Sequence, residues 1–269
     1  MNLIDAHVHT LECGTMCNGE INVEFEKVRK GLKNHGIDKA ILMPINDISY
    51  QPVKPMNDYM VEIINNTEDY VGFIDIDISK VHLAGGIEKL EKEIVHYYKK
   101  GLKGIKIHLQ NLGVKADDWR LLCVYRLAGE LNIPITFHCY PGSPPGLSDD
   151  SNPVNIEKIV RVFHNTDFII AHLGGIKYFF DMPSLNHENV YFETSGVMPV
   201  LKKYITQENI HNIFKEIGFD KIIFGSDYPT ADIQESISIL KEIVPKEHIE
   251  KVMYKNILQL GNKYNWWDN

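Results

Sequence analysis

The chain has 269 residues, 44% of them hydrophobic and 24% charged, the balance of a globular protein with a sizeable core rather than of a disordered or fibrous one. Lys plus Arg number 28 against 36 for Asp plus Glu, a formal net charge of −8 without a basic stripe, which argues against nucleic acid or an anionic membrane as the main partner. No apolar run approaches the roughly 20 residues needed to cross a bilayer, and no basic segment precedes the first apolar one, so a cytoplasmic protein is expected. Four cysteines in a chain this long do not make a disulfide framework. Cys13 and Cys17 read as loop thiols, because no second pair completes a thiolate metal site.

Short β-branched runs ending in polar residues recur along the chain, and an amphipathic segment with three- and four-residue apolar spacing follows almost every one. The predicted strands run from Leu3 to His9, Lys39 to Ile45, Val71 to Ile78, Leu102 to Leu109, Ile133 to Cys139, Phe168 to Leu173, Val190 to Thr194 and Lys221 to Asp227. The predicted helices run from Phe25 to His35, Met56 to Asn66, Ile87 to Lys100, Trp119 to Leu131, Val154 to Phe163, Ile210 to Ile217 and Ile233 to Ile243, with a last one from Glu247 to Tyr264. Lys177 to Glu188, broken by Pro183, is expected to hold only a turn or two. Strand after helix after strand, with no linker, implies parallel strands joined by crossover helices. Eight such units predict one α/β domain over 1–269, a single (β/α)8 TIM barrel with a C-terminal extra helix. The runner-up, an open doubly wound sheet, would show a Gly-rich phosphate turn after an early strand, and neither Gly-x-Gly-x-x-Gly nor a Walker pattern is present.

In such a barrel the chemistry sits at the carboxyl ends of the strands. Alternation on strand one sets Ile4, Ala6 and Val8 on the helix side and Asp5, His7 and His9 on the other. It turns Lys106 and His108 inward on strand four, Thr136 and His138 on strand five, His172 at the end of strand six and Glu193 on strand seven, while strand eight ends at Asp227. One strand histidine is more often a packed rim residue than a ligand. Five converging from four strands, with a carboxylate nearby, each need a partner in a confined space, and a divalent cation satisfies several lone pairs at once. His7 and His9 leave one face of the strand about a pleat apart and can chelate a single ion.

These residues stand in motifs. Asp5-Ala6-His7-Val8-His9, Gly104-Ile105-Lys106-Ile107-His108, His138 and Ala171-His172-Leu173-Gly174-Gly175 are followed by Phe224-Gly225-Ser226-Asp227-Tyr228-Pro229 and Lys255-Asn256. In order and spacing the chain resembles the amidohydrolase superfamily over essentially its whole length. Within it the resemblance is to the amidohydrolase-related group that also contains the aminocarboxymuconate-semialdehyde decarboxylase type. The resemblance implies that His7, His9, His138 and Asp227 hold one catalytic divalent ion, zinc before manganese and without a second metal. It makes Asp227 the proton acceptor and His172 a further ligand or an acid/base group. Lys106 is expected to bind a substrate carboxylate as an ordinary cation, with the carboxylated, metal-bridging lysine of certain relatives as the alternative. His108 stands as a substrate-binding residue or a packed rim residue, and Glu193 as a carboxylate behind a ligand histidine or a partner of interior polar groups. Barrel phosphoesterases with the same opening usually close with Asp-x-His where this chain has Asp227-Tyr228-Pro229, and nuclease-like barrels expect a ligand glutamate on a middle strand.

The implied activity is hydrolysis of an amide, ester or lactone in a small anionic substrate. The alternative is decarboxylation of a small unsaturated or aromatic acid, and a barrel without turnover is disfavoured by the intact ligand set. Substrate choice falls to three loops, Leu11 to Asn22, Asn46 to Asn57 with Tyr50 and Lys54, and Tyr140 to Pro153 with four prolines and three serines, the last a candidate lid. A homo-oligomer stays open, and Trp266-Trp267 is expected to pack helix on barrel or subunit on subunit rather than to stack bases.

Overall fold

Eight parallel strands carry the fold in the computed structural model, which describes residues 3–16, 19–45, 55–140 and 149–267. They are β1 (Leu3–Val8), β2 (Ile37–Leu42), β3 (Tyr70–Gly72), β4 (Ile105–Ile107), β5 (Ile135–His138), β6 (Phe168–Ala171), β7 (Val190–Glu193) and β8 (Ile222–Ile223). Continuous parallel ladders run through β1, β2 and β3 and from β4 to β8. Single parallel bridges, Ile74 with Ile105 and Val8 with Tyr228, join the two ladders at both edges. The hydrogen bonds Lys106 N to Ile74 O at 2.9 Å and Asp227 N to His7 O at 2.9 Å complete the joins. The result is the α/β barrel that the strand–helix repeat predicts, with sheet edges removed.

Strands buried on both faces explain the β-branched runs. The outward residues, among them Ile105, Ile107, Phe137, Ile170 and Phe192, belong to the large core shared with the helices. A second core gathers Ile4 and Ala6 with Ile41, Val71, Phe73, Ile169 and Ile223, residues that can meet from so many strands only inside the ring. Trp266 and Trp267 close this inner core from below, their Nε1 groups donating to Lys103 O at 3.2 Å and Asp69 O at 3.1 Å. The tandem tryptophans therefore pack the end of the chain onto the barrel, one of the two roles expected of them.

Helices fill the crossovers close to their predicted places, including Phe25–Asn34, Gly86–Lys99, Leu122–Leu131, Pro153–Val162 and Ile233–Ile243. Side-chain caps set two of these starts: Asn152 accepts from Val154 N at 2.9 Å just before Pro153, and Asp232 from Glu235 N at 2.7 Å. Periodicity missed the Thr15–Met16 and Ile21–Asn22 hairpin and the helix Met198–Tyr204. Both are too short for a repeating pattern to show. Cys17, Tyr50 and Lys54, and residues 141–148 of the Pro-rich loop, lie outside the described residues. No helix among those described is long and apolar enough to cross a membrane.

The closing helix Asn256–Tyr264 is pinned by its first residue, since Asn256 Nδ2 donates to both Phe219 O and Ile222 O at 2.7 Å. Asn256→Ala is expected to cost about 1–3 kcal/mol by leaving the Phe219 and Ile222 carbonyls, before and at the start of β8, poorly satisfied. Equilibrium urea unfolding measures it; an unchanged midpoint would mean that water replaces the amide at no cost.

Candidate metal centre

The alternation expected along β1 is interrupted by a bulge. Asp5 pairs with Ala40 and Val8 with Leu42, so three steps on β1 face two on β2. The extra residue flips the faces: Ile4 and Ala6 enter the inner core, contrary to the simple alternation, and Val8 joins the helix-side core. His7 is turned toward the axis, where its Cβ lies against Gly225 at the end of β8. The Asp5 carboxylate is thereby kept off the two imidazoles and accepts from Ser226 and from the His7 backbone N–H.

Partners fix how the imidazoles are turned. His7 Nδ1 lies 2.7 Å from Glu193 Oε2, His9 Nδ1 2.8 Å from Met43 O, and His172 Nδ1 2.9 Å from Ser195 O. Ser195 Oγ donates to Glu193 Oε2 at 2.8 Å and Ser195 N donates to Oε1 at 2.5 Å, so both carboxylate oxygens act as acceptors. Each Nδ1 therefore carries the hydrogen, and each Nε2 keeps a lone pair. Those lone pairs meet another acceptor: Asp227 Oδ1 is 3.1 Å from His9 Nε2 and 3.5 Å from His7 Nε2. Acceptor facing acceptor is favourable only with positive charge between them. The Lys106 ammonium supplies part of it, 3.3 Å from His7 Nε2.

Among the described residues, His7, His172 and Asp227 offer ligand atoms that all lie within 4.8 Å of one another. Imidazole nitrogens plus one carboxylate oxygen suit a first-row divalent cation, so the donor set fits the expected ion. His9 touches the group through Asp227. His138 touches it through His172, its Nδ1 being 2.9 Å from His172 Nε2. His108 stacks on His138, ring centroids 3.6 Å apart, and its Nδ1 accepts from Asn111 N at 3.4 Å, which leaves Nε2–H as a donor.

Burial, reinforced by the Lys106 charge and neighbouring imidazoles, holds His7, His108 and His138 well below the usual histidine range and brings His172 down to about 4. Neutral rings are the form that ligation and proton acceptance require. Burial also works against a charged Asp227, yet its close contacts with the His9 and His172 rings and the hydrogen bond from Thr230 keep its carboxyl well below the carboxylate range. Lys106, 1% exposed, is pushed down by burial and Glu193, fully buried, is pushed up, each partly held in its charged form by the other.

Special backbone supports these side chains. Asp227 has φ 67°, His172 φ 62° and Leu173 φ 48°, left-handed values that non-glycine residues adopt only where the surroundings demand them. Thr230 Oγ1 donates to Asp227 Oδ2 at 2.6 Å. A Cβ on Gly225 would stand 2.0 Å from Glu193 Oε1, so glycine is what lets the glutamate lie beneath the end of β8. The structure thus brings His7, His9, His138, His172, Asp227, Lys106 and Glu193 together, with His108 stacked at the rim. Sequence reasoning missed Ser195, Thr230 and the Asp5–Ser226 contact. Two-residue periodicity from Glu193 could have flagged Ser195, because both side chains bond His7.

A family model described as Amidohydrolase matches residues 51–260 of the chain. No curated protein sequence matches it. Among solved structures, an uncharacterised TIM-barrel protein from Bordetella bronchiseptica has a TM-score of 0.79 at 14% identity, covering 98% of this chain and 100% of its own. A probable 2-pyrone-4,6-dicarboxylic acid hydrolase from Acinetobacter baumannii, with citric acid bound, has 0.70 at 19%, covering 97% and 100%. A 2,6-dihydroxybenzoate decarboxylase from Rhizobium has 0.70 at 14%, covering 97% and 99%. At these identities the likeness is one of fold.

Proposed function

The chain belongs to the amidohydrolase family, and from that premise we propose that it is a metal-dependent hydrolase opening an amide, ester or lactone bond of a small anionic substrate. The observation that carries the reading is the meeting of the His7 and His9 Nε2 lone pairs on Asp227 Oδ1. One divalent ion, zinc before manganese, is assigned to His7, His9, His138 and Asp227, with His172 beside it. When bound, such an ion supplies Lewis acidity toward a carbonyl and makes water more acidic.

The chain's own groups move and hold the protons. Burial lowers His172 to about 4 and its Nδ1–H stays on Ser195 O, so Nε2, which lies 2.9 Å from His138 Nδ1, is the atom assigned to accept a proton. Asp227 shares this traffic, its Oδ2 held by Thr230. Glu193 keeps the hydrogen of His7 on Nδ1. The Lys106 cation and the His108 Nε2–H donor are assigned to the substrate carboxylate, since burial pushes the Lys106 ammonium down even beside Glu193 and Asp227 and a further anion would offset that cost. The citric acid bound in the structural neighbour is an anion of that kind.

A decarboxylase is the second reading, favoured by the Rhizobium decarboxylase, which matches the fold as well as the hydrolase does. Incubating the metal-loaded protein with lactones, amides and aromatic acids, while recording acid release and carbon dioxide separately, decides between them. Acid release without gas is expected; gas evolution from an aromatic acid would reverse the assignment. Lys106→Met is expected to weaken binding of anionic substrates by about tenfold or more and to leave a neutral ester nearly unaffected. Equal losses for acid and ester, read from inhibition constants, would remove Lys106 from anion recognition.

A further inference from the structure

We propose that Asp5 is a positioning residue whose buried carboxylate ties β1 to the turn after β8 and holds Asp227 in the left-handed conformation that aims it at His7 and His9. Its consequence for ion binding rests on the metal-site reading above, whereas its geometry does not.

Asp5 is fully buried, and a buried carboxylate is tolerated only when its oxygens are filled. Here they are filled by backbone and by one hydroxyl. Oδ1 accepts from His7 N at 3.1 Å and Ser226 N at 2.9 Å, and Oδ2 accepts from Ser226 Oγ at 2.5 Å. Having given its hydrogen to Asp5, Ser226 Oγ accepts from Tyr228 N at 2.9 Å. The N–H groups on either side of Asp227 thus hang from one carboxylate, and Asp227 N itself donates to His7 O at 2.9 Å. Such over-determination is what a non-glycine residue needs to persist at φ 67°.

The β1 bulge gives this arrangement its logic. In a regular strand Asp5 and His7 would share a face and both would enter the site. The added residue sends Asp5 to the neighbouring turn and His7 to the axis, so one short motif supplies both a ligand and the brace for another ligand. Because both Asp5 oxygens are already occupied, direct ligation by Asp5 is not its role.

The test compares Asp5→Ala, Asp5→Asn and Ser226→Ala, each alone and combined with Asp227→Asn. Zinc and manganese dissociation constants are read by competition with a chromophoric chelator. Amide exchange at Ser226 and Tyr228 is read in the metal-free protein. Asp5→Ala is expected to weaken ion binding by about tenfold or more, and Asp5→Asn by less because it keeps an oxygen for the two amides. In the Asp227→Asn background the same change should cost less than about twofold, because both residues act through one ligand. Exchange at both amides should accelerate in the single variants. Losses that multiply fully in the double variants, or unchanged exchange at Ser226 and Tyr228, would overturn the proposal. If Asp5→Ala does not fold, Ser226→Ala, which removes one hydroxyl, carries the same comparison. A wild-type chain that binds neither ion would end the metal reading, and the exchange rates alone would then decide whether Asp5 braces the turn.

Discussion

Asp227→Asn is expected to lower turnover by at least about a hundredfold while leaving the fold intact. The substitution is unusually clean here. Asparagine tolerates left-handed backbone as well as any non-glycine residue, so the φ of 67° at this position adds no new strain. Its amide can still accept from Thr230 Oγ1 or face His9 with its oxygen, but the negative charge shared by the His7 and His9 nitrogens is gone. Ion affinity should therefore fall along with the proton-accepting capacity. Steady-state rates at saturating ion, beside a thermal melt of the metal-free protein, separate the two effects. Unimpaired turnover would withdraw Asp227 from the chemistry.

The second large effect is expected at a residue that touches no ligand-binding space. Glu193→Gln changes one oxygen to an NH2 group, and neither orientation of the amide fits. With nitrogen at the Oε2 position it meets the hydrogens of His7 Nδ1 and Ser195 Oγ; with nitrogen at the Oε1 position it meets Ser195 N–H. The relief open to the site is to move the His7 hydrogen to Nε2, which removes the lone pair aimed at Asp227. A fall of about 10–100-fold in ion affinity is expected, the size usual for groups that orient a ligand histidine. Nitrogen-15 shifts of the His7 ring report the tautomer directly. A ring that keeps its hydrogen on Nδ1, together with wild-type ion affinity, would show that Glu193 only fills space.

The existence and order of the eight strands were legible because each is a β-branched run between polar ends. So were Lys106, His108, His138 and Glu193 near their carboxyl ends, because two-residue alternation survives at β4, β5 and β7. The face of Asp5 was not. The β1 bulge depends on how the strand pairs with Ala40 and Leu42, about 35 residues away, and local alternation carries no trace of that register. Met43 holds His9 through its carbonyl oxygen, a group every residue has, so no side-chain pattern could announce it. Ser195 was readable in principle by its spacing from Glu193, yet a serine just past a strand end is too common to mark itself. His172 gained its place beside His7 and Asp227 from three consecutive left-handed residues, His172 to Gly174, which the Gly174-Gly175 pair permits but whose direction only the fold determines.

The measurement that bears most directly on the whole account is ion binding by the metal-stripped wild-type chain, followed by calorimetric titration with zinc and with manganese beside His7→Ala. About one tightly bound ion per chain is predicted, as a site of histidine nitrogens and one carboxylate should hold, with affinity lost in the variant. No saturable binding in the wild type, or binding that His7→Ala leaves unchanged, would contradict it.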